Sequence, residues 1–150
     1  MDDHAKENRI ESLRRRCRER GLLPTPQRLA ILRAVLDADD HPSADRVHAA
    51  LARRRVRASR ATVFRTLEAF VRRGLVAKAC HPGSSSRYDR RLDRHHHLVC
   101  LVCERVADVD DARLDELPVP DTRRFGFTVS DYRVQLRGVC RECREQEENT

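Results

Sequence analysis

The sequence predicts an α+β protein with an N-terminal winged helix-turn-helix domain and a small C-terminal α/β domain. Three observations support this prediction. The first half contains several amphipathic helical segments followed by a short hairpin, and the second half alternates short strands with one short helix. Between the halves, residues 89–103 combine an acid, three consecutive histidines and a Cys-x-x-Cys pair, a combination typical of metal ligands. We therefore place the first domain at 1–86, a hinge at 87–94 and the second domain at 95–150.

Charge and composition favour a nucleic-acid partner without establishing one. The 150 residues include 31 basic and 24 acidic side chains, a net charge of +7, and most of the basic excess lies in the first half. This distribution suits a polyanion, although an arginine-rich composition drawn from a biased genome would give the same pattern. No apolar stretch is long enough to cross a membrane and the N-terminus has no signal-peptide core, so we expect a cytoplasmic protein with no membrane partner.

The first predicted helix covers residues 6–21. Ile10, Leu13 and Cys17 are spaced for one buried face, and Gly21 is expected to cap the C-terminus. The opposite face is basic, and it either contacts phosphates or is simply solvated. That face consists of Arg14, Arg15, Arg16, Arg18 and Arg20.

Three capped helices follow the first. Thr25 caps a helix over 27–38, with a proline at the first helical position, and Ser43 caps a helix that runs to Leu51. Ser59 caps the fourth helix. The predicted buried stripe of the fourth helix consists of Val63, Leu67, Phe70 and Val71.

The fourth helix has the features of a DNA-reading helix. Thr62, Phe64 and Arg65 are left on its outer side, where a phenylalanine is unusual unless it meets a partner. Gly74 ends the helix, and the hairpin that follows would form the wing of a winged helix.

Short strands complete both domains. The predicted hairpin strands are 75–80 and 87–89, and the predicted strands of the second domain are 97–101, 106–109 and 127–136. A short helix is predicted at 110–117, where prolines follow. The polar tail after Cys143 is predicted to be frayed.

Four cysteines form two Cys-x-x-Cys pairs, Cys100 with Cys103 and Cys140 with Cys143. Each pair can present two thiolates from one tight turn, and two such turns complete a closed tetrahedral set for a structural zinc ion. A redox dithiol switch and unrelated buried cysteines are the alternatives. The sequence has no phosphate-binding glycine loop, no Ser-His-Asp order and no paired catalytic carboxylates. We predict that the protein is not an enzyme.

A second group of candidate ligands offers nitrogen and oxygen donors: His41, Asp89, His95, His97 and Asp108. On a strand, His95 and His97 would point to one face, whereas His96 would point to the other, toward solvent or a secondary ion. Mixed imidazole and carboxylate sets suit Fe²⁺, Mn²⁺ or Zn²⁺. Each residue alone also has an ordinary explanation, as a cap or a helix-end residue, so spacing leaves this site open.

Together these segments resemble the ferric uptake regulator family of metal-dependent repressors, from about residue 13 to residue 143. The resemblance is carried by residues 21–32, 41–45 (His-Pro-Ser-Ala-Asp), 59–67 (Ser-Arg-Ala-Thr-Val-Phe-Arg-Thr-Leu), 86–89, 95–103 and 138–143. It implies a homodimer that binds double-stranded operator DNA through its winged helix and dimerises through its C-terminal domain. It also implies that the five nitrogen and oxygen donors form a regulatory site for Fe²⁺ or Mn²⁺, beside the structural zinc.

Within the family, the sequence looks most like the peroxide-sensing branch. That branch has an aspartate at the position of Asp89, where iron-uptake members usually have glutamate. The resemblance then implies that His41 or His95 is oxidised to 2-oxo-histidine by peroxide and bound Fe²⁺. The sequence departs from the family at Phe64, where tyrosine is common, and at residues 131–132, where a second-site histidine is usual in iron-uptake members. Phe64 can still contact a thymine methyl group, and the second site is expected to be absent.

The resemblance also implies how metal would control DNA binding. One ion bound by both domains would fix the spacing of the dimer's two reading helices. Arg15, Arg60 and Arg65 would contact phosphates, while Thr62 and Phe64 would contact base edges. The alternative is an iron, manganese or zinc uptake regulator of the same family. A redox enzyme or zinc-storage protein that uses the thiols is a third hypothesis.

Overall fold

The computed structural model describes residues 3–79 and 85–148, with side chains from residue 7 onward, and it divides into two compact units. The first unit is Met1–Leu92 and the second is Asp93–Thr150. Cys80, the last residue of the predicted strand 75–80, lies outside the described residues, as does most of the segment between the two predicted hairpin strands. No helix in the described ranges combines the length and the apolar character needed to cross a membrane.

The first unit begins with four helices: α1 (Asp3–Glu19), α2 (Pro26–Leu36), α3 (Ala44–Arg53) and α4 (Arg60–Arg72). The side-chain oxygens of Thr25, Ser43 and Ser59 each accept a hydrogen bond from the backbone N–H three residues on, which satisfies a donor that the helix leaves unpaired. Gly21 and Gly74 follow α1 and α4 with φ of +70° and +67°, a conformation that favours glycine. The predicted helices and caps are confirmed.

The four helices bury one apolar core. Most of its members come from α2, α3 and α4, with Leu13 and Cys17 from α1, and its largest fully buried side chain is Tyr88. It also contains Ile31, Leu32, Val35, Val47, Leu51, Val63, Leu67, Phe70 and Tyr88. Val71, predicted to be in the inner stripe, is only partly buried against this core. Burial of the apolar side chains that helical periodicity identifies therefore stabilises the unit through the hydrophobic effect.

A short hairpin completes the first unit. Strands β1 (Ala77–Ala79) and β2 (Arg87–Asp89) pair antiparallel, with Ala77 opposite Asp89. The first strand begins at Ala77, two residues later than the predicted start at residue 75. Leu75 is the reason, because its backbone N–H still bonds the Phe70 carbonyl of α4 at 2.9 Å and its side chain lies in the helical core. Helices followed by this wing make the predicted winged helix-turn-helix.

The second unit contains a three-stranded sheet and short helices. Strands β3 (His96–Cys100), β4 (Val106–Val109) and β5 (Gln135–Gly138) lie in the order β4-β3-β5. β3 pairs antiparallel with β4 and parallel with β5. The helices are α5 (Ala112–Asp115), a 3₁₀ turn at Arg123–Phe125 and α6 (Arg141–Glu148). The unit is the predicted small α/β domain.

The predicted strand 127–136 is largely wrong, because strand structure begins only at Gln135. The alternating side chains of this segment are exposed instead, with Phe127 70% and Val129 43% accessible. The chain closes on itself here: the Thr122 hydroxyl donates to the Phe127 carbonyl, and the Phe127 N–H donates to the Thr122 carbonyl. At Phe127, local hydrogen bonds therefore take the place of the bonds that a strand would make to its neighbour.

The tail was predicted to be frayed, and this prediction is also wrong. α6 extends to Glu148 and is composed largely of arginine and glutamate, which are strong helix formers. Arg144 continues the turn with an N–H bond to the Cys140 carbonyl at 3.1 Å. Polarity indicated exposure correctly, but exposure did not prevent helix formation.

Asp37 joins three helices of the first unit. It caps the C-terminus of α2, and its carboxylate pairs with Arg9 of α1, Arg33 of α2 and Arg54 at the end of α3. Burial raises the pKa of Asp37, but the arginines outweigh that effect and the net shift is downward. The charged form is therefore stabilised by folding.

Replacing Asp37 with asparagine is expected to lower the free energy of unfolding by about 1 kcal/mol, because several arginines share one partly exposed carboxylate. Because the folded pKa is lowered, this contribution is present above the unfolded pKa and is lost as the pH falls through the folded value. Urea unfolding at neutral and acidic pH measures both effects. The exposed Asp39→Asn variant is the control, and equal stability of the two variants at neutral pH would contradict the prediction.

Candidate metal centres and nucleic-acid interface

The two Cys-x-x-Cys pairs meet at one edge of the second unit's sheet. Because β3 and β5 are parallel, with Cys100 opposite Gly138, both strands end at the same edge. The first pair begins at the end of β3, and the second follows β5 and enters α6. A hydrogen bond of 2.7 Å from the Leu101 N–H to the Gly138 carbonyl extends the pairing beyond the strands. The parallel pairing thus brings together two turns that are far apart in sequence.

The four sulfur atoms have the spacing of a tetrahedral metal site. The Sγ atoms of Cys100 and Cys143 are 3.9 Å apart, those of Cys103 and Cys140 are 3.8 Å apart, and all four lie within 4.8 Å of one another. Four sulfurs placed about 2.3 Å from a central zinc ion would be separated by about 3.8 Å. These distances are far too long for disulfide bonds, which are about 2 Å. The donor set and its geometry therefore fit zinc.

Backbone N–H groups favour the thiolate form of one of the four cysteines, Cys100. Backbone hydrogen bonds from Cys103 and Cys140 lower the pKa of Cys100 to about 6, and the Cys140 N–H lies 3.4 Å from the Cys100 sulfur. In contrast, hydrogen bonding to Cys140, burial and the other neighbouring thiols raise the pKa of Cys143 to about 12. A divalent cation is the partner that allows all four sulfurs to be ionised together.

Three nitrogen and oxygen donors converge on the other side of the second unit. His97 and Asp108 are opposite one another on β3 and β4, and His95 lies two residues before His97. The nearest Asp108 oxygen is 3.3 Å from His95 Nε2 and 3.7 Å from His97 Nε2. The two imidazole rings are 4.6 Å apart. Two imidazoles and a carboxylate in this arrangement fit Fe²⁺, Mn²⁺ or Zn²⁺.

A backbone group orients His95 for binding through its far nitrogen. Nδ1 of His95 lies 2.8 Å from the Asp93 carbonyl oxygen. A carbonyl can only accept, so Nδ1 carries a proton, which leaves Nε2, the nitrogen on the Asp108 side, as the one that would bind a metal. This is the usual outer contact of a metal-binding histidine.

His96 does not face solvent, contrary to prediction. Its side chain is completely buried and both ring nitrogens are engaged. The Val134 N–H donates to Nδ1 at 2.9 Å, so the proton is on Nε2, which donates to Asp115 at 3.1 Å. The imidazole is stacked beside Tyr132, with ring centroids 6.2 Å apart. A buried polar ring must find such partners, and here it ties β3 to the chain before β5 and to α5.

His41 and Asp89 form a second group of donors within the first unit. The Tyr88 N–H donates to the Pro42 carbonyl at 3.0 Å, and a β-bridge joins Ser43 to β2. These bonds hold His41 beside Asp89, so that Nε2 and Oδ2 are 3.1 Å apart. The Arg91 N–H donates to the other Asp89 oxygen at 2.8 Å and fixes the carboxylate. Both side chains are buried.

The outer side of α4 carries the predicted DNA contacts. Phe64 is 48% accessible, Arg60 and Arg65 are exposed, and Thr62 is half-buried with its hydroxyl 2.9 Å from that of Ser59. Arg60 lies 3.6 Å from Asp45, an ion pair between exposed groups that a phosphate could replace.

Much of the basic face of α1 is paired along the helix itself. Arg15, the predicted phosphate contact, is exposed and lies 3.9 Å from Glu19. Arg14 and Arg18 share Glu11. The solvated alternative therefore accounts for these arginines, and a phosphate contact by Arg15 remains a prediction.

A winged helix followed by an α/β unit with a four-thiolate cluster defines a class, that of DNA-binding regulators that contain metal. Comparison with known proteins gives the family. The model of the ferric uptake regulator family matches residues 19–137. The chain belongs to this family of metal-responsive transcriptional repressors.

Two kinds of relatives resemble the chain over most of its length. The peroxide-responsive repressor PerR of Staphylococcus epidermidis is 35% identical over 144 residues, which cover 96% of this chain and 93% of that protein. Among solved structures, the Vibrio cholerae ferric uptake regulator is 28% identical with a TM-score of 0.67, covering 85% of this chain and 98% of its own. A zinc-bound manganese uptake regulator is 30% identical with a TM-score of 0.68, covering 87% and 98%.

Proposed function

We propose that the chain is a homodimeric, cytoplasmic repressor that binds operator DNA when metal is bound and releases it after exposure to hydrogen peroxide. The convergence of imidazoles and a carboxylate around Asp108, oriented from outside by the Asp93 carbonyl, is the observation that supports a regulatory metal most strongly. The similarity to peroxide-responsive repressors supports the choice of signal. No substrate is turned over, because each oxidation event consumes the sensor.

The proposed regulatory metal is held by both units. Its ligands are His41, Asp89, His95, His97 and Asp108. Each unit orients one of its own ligands through a backbone group. In the first unit the Arg91 N–H orients Asp89, and in the second the Asp93 carbonyl orients His95. One ion bound by ligands from both units would fix the winged helix relative to the second unit across the hinge 87–94. Operator affinity then depends on the metal because only the fixed arrangement matches two successive major-groove segments.

Peroxide sensing requires one of these ligands to be changed. Fe²⁺ held by these ligands would supply an electron for cleavage of the O–O bond of hydrogen peroxide and would regain one electron from the imidazole as the ring is oxidised. In the net reaction, one peroxide oxygen bonds to C2 of His41 or His95, the C2 hydrogen moves to a ring nitrogen, and water leaves. The imidazole is oxidised by two electrons and peroxide is reduced. The 2-oxo ring is a poorer ligand, so the fixed arrangement is lost.

Contacts to DNA divide by chemistry. Arg15, Arg60 and Arg65 supply phosphate contacts, which give affinity that depends on salt. Thr62 and Phe64 lie toward base edges, where the apolar ring of Phe64 suits a thymine methyl group. The exposure of Phe64 in an otherwise amphipathic helix supports this assignment.

An iron, manganese or zinc uptake regulator is the second candidate. The similarity to a manganese uptake regulator over 87% of the chain favours it. Both candidates use the same metal site and DNA-binding surface, and they differ only in whether peroxide releases the DNA.

Selection from a pool of random duplexes tests the function without a known operator. The Mn²⁺-loaded protein is expected to select a two-fold symmetric sequence, and removal of Mn²⁺ is expected to weaken binding to the selected duplex. Failure to enrich any sequence in Mn²⁺ would reject the repressor function. Enrichment that is insensitive to metal would reject metal control.

A further inference from the structure

Tyr88 connects both metal-ligand segments of the first unit to the DNA-reading helix. It precedes Asp89 on β2, and its N–H bonds Pro42, the residue after His41. Its side chain leaves this strand, enters the helical core and is completely buried. One residue therefore contacts the two ligand-bearing segments through its backbone and the helices through its ring.

The hydroxyl of Tyr88 ends on α4. It donates a hydrogen bond of 2.8 Å to Oε1 of Glu68. Glu68 is four residues after Phe64, one turn further along the same helix. Tyr88 and Phe64 also line one surface cavity beside α4, together with Arg60. A movement of Tyr88 would therefore displace the part of α4 that is proposed to contact DNA.

Lys78 provides a comparison with Tyr88, because both side chains donate a hydrogen bond to Glu68. Its Nζ donates to the same Glu68 oxygen at 2.9 Å, from β1 rather than from the ligand-bearing strand. Glu68 therefore accepts two bonds of similar length, only one of which comes from a residue next to a proposed ligand. Loss of either bond removes one partner from a half-buried carboxylate.

We propose that the hydrogen bond from Tyr88 to Glu68 transmits metal occupancy from β2 to the reading helix. This inference rests on the proposed function and names a positioning residue for it. Metal bound to His41 and Asp89 restrains the strand and the segment around Pro42, and that restraint keeps the hydroxyl on Glu68 and α4 in its DNA-binding position. Without metal, the strand moves more freely and the bond is made for a smaller fraction of the time.

The test compares Tyr88→Phe with Lys78→Met in the full-length protein. The probe is the duplex selected by the wild-type protein in Mn²⁺, and the measured quantity is the ratio of its dissociation constants without and with Mn²⁺. We expect Tyr88→Phe to lower this ratio at least about fivefold, within the usual range of coupling between sites. Lys78→Met should leave the ratio unchanged, even if it lowers the melting temperature as much.

Two further measurements separate the outcomes. Mn²⁺ affinity without DNA, measured by calorimetry, should change less than twofold in Tyr88→Phe, which shows that the ligands are intact. Glu68→Gln keeps an acceptor for the Tyr88 hydroxyl but removes the charge, so we expect a smaller fall in the ratio than in Tyr88→Phe. It replaces Tyr88→Phe if that variant does not fold. An unchanged ratio in the tyrosine variant, or an equal fall in the lysine variant, would overturn the inference. A wild-type ratio near one would instead reject the proposed function itself.

Discussion

Replacing Cys100 with serine is expected to abolish zinc binding and to destabilise the second unit by more than about 3 kcal/mol. The reason is geometric, because Cys100 anchors the end of β3 to the turn that follows β5. The unit is small and has few fully buried apolar side chains, so a closed metal site would supply much of its stability. Total zinc by elemental analysis and urea unfolding monitored by circular dichroism measure the two effects.

Among the cysteines that the structure describes outside the four-thiolate cluster, Cys17 offers a matched control. Cys17 lies in the helical core of the first unit, whereas the four-thiolate cluster belongs to the second, and burial raises the pKa of its thiol. Cys17→Ser should lower stability by burying a hydroxyl group, yet keep a full equivalent of zinc. If Cys100→Ser also retained a full equivalent of zinc, the four-cysteine site would be wrong.

Replacing His41 with alanine is expected to lower operator affinity in Mn²⁺ about 5- to 150-fold, to the level of the metal-free protein. The variant should keep its zinc and its dimeric state, because His41 belongs to the winged-helix unit. His97→Ala, in the other unit, should cause the same loss. Fluorescence anisotropy with the selected duplex, at a series of Mn²⁺ concentrations, provides the comparison.

The pair of variants tests whether one ion is shared by both units. Asp39→Asn, an exposed change two residues before His41, should bind the duplex like the wild-type protein. If His97→Ala lost metal dependence while His41→Ala kept it, the second unit alone would hold the metal. The shared-ligand mechanism would then be wrong, although a metal-dependent repressor would still be possible.

The sequence predicted the helices of the first unit well because their signals are local. Thr25, Ser43 and Ser59 satisfy backbone groups three residues away, and the apolar stripes follow one helical period. The cysteine pairs were equally clear, since each pair is fixed within one turn. What no local signal gave was the parallel pairing of β3 with β5 that brings the two turns together.

Other features depend on groups that sequence patterns do not distinguish. The backbone carbonyl of Asp93 and the N–H of Arg91 orient two proposed ligands, and every residue has such groups. The burial of His96 required knowing that Val134 and Asp115 would lie near its two nitrogens. Alternation at 127–134 predicted a strand, but strand structure requires a neighbouring strand as well as a pattern.

The most direct test of peroxide sensing uses protein prepared without oxygen and loaded with either Fe²⁺ or Mn²⁺. Each form is bound to the selected duplex and treated with a low dose of hydrogen peroxide, and the same samples are digested for peptide mass spectrometry. The account predicts release from DNA in the iron form alone, with one oxygen atom added at His41 or His95. Unchanged binding with no added oxygen would contradict the account and would favour a metal-uptake regulator. Asp89 would then be a metal ligand that does not distinguish the two branches of the family.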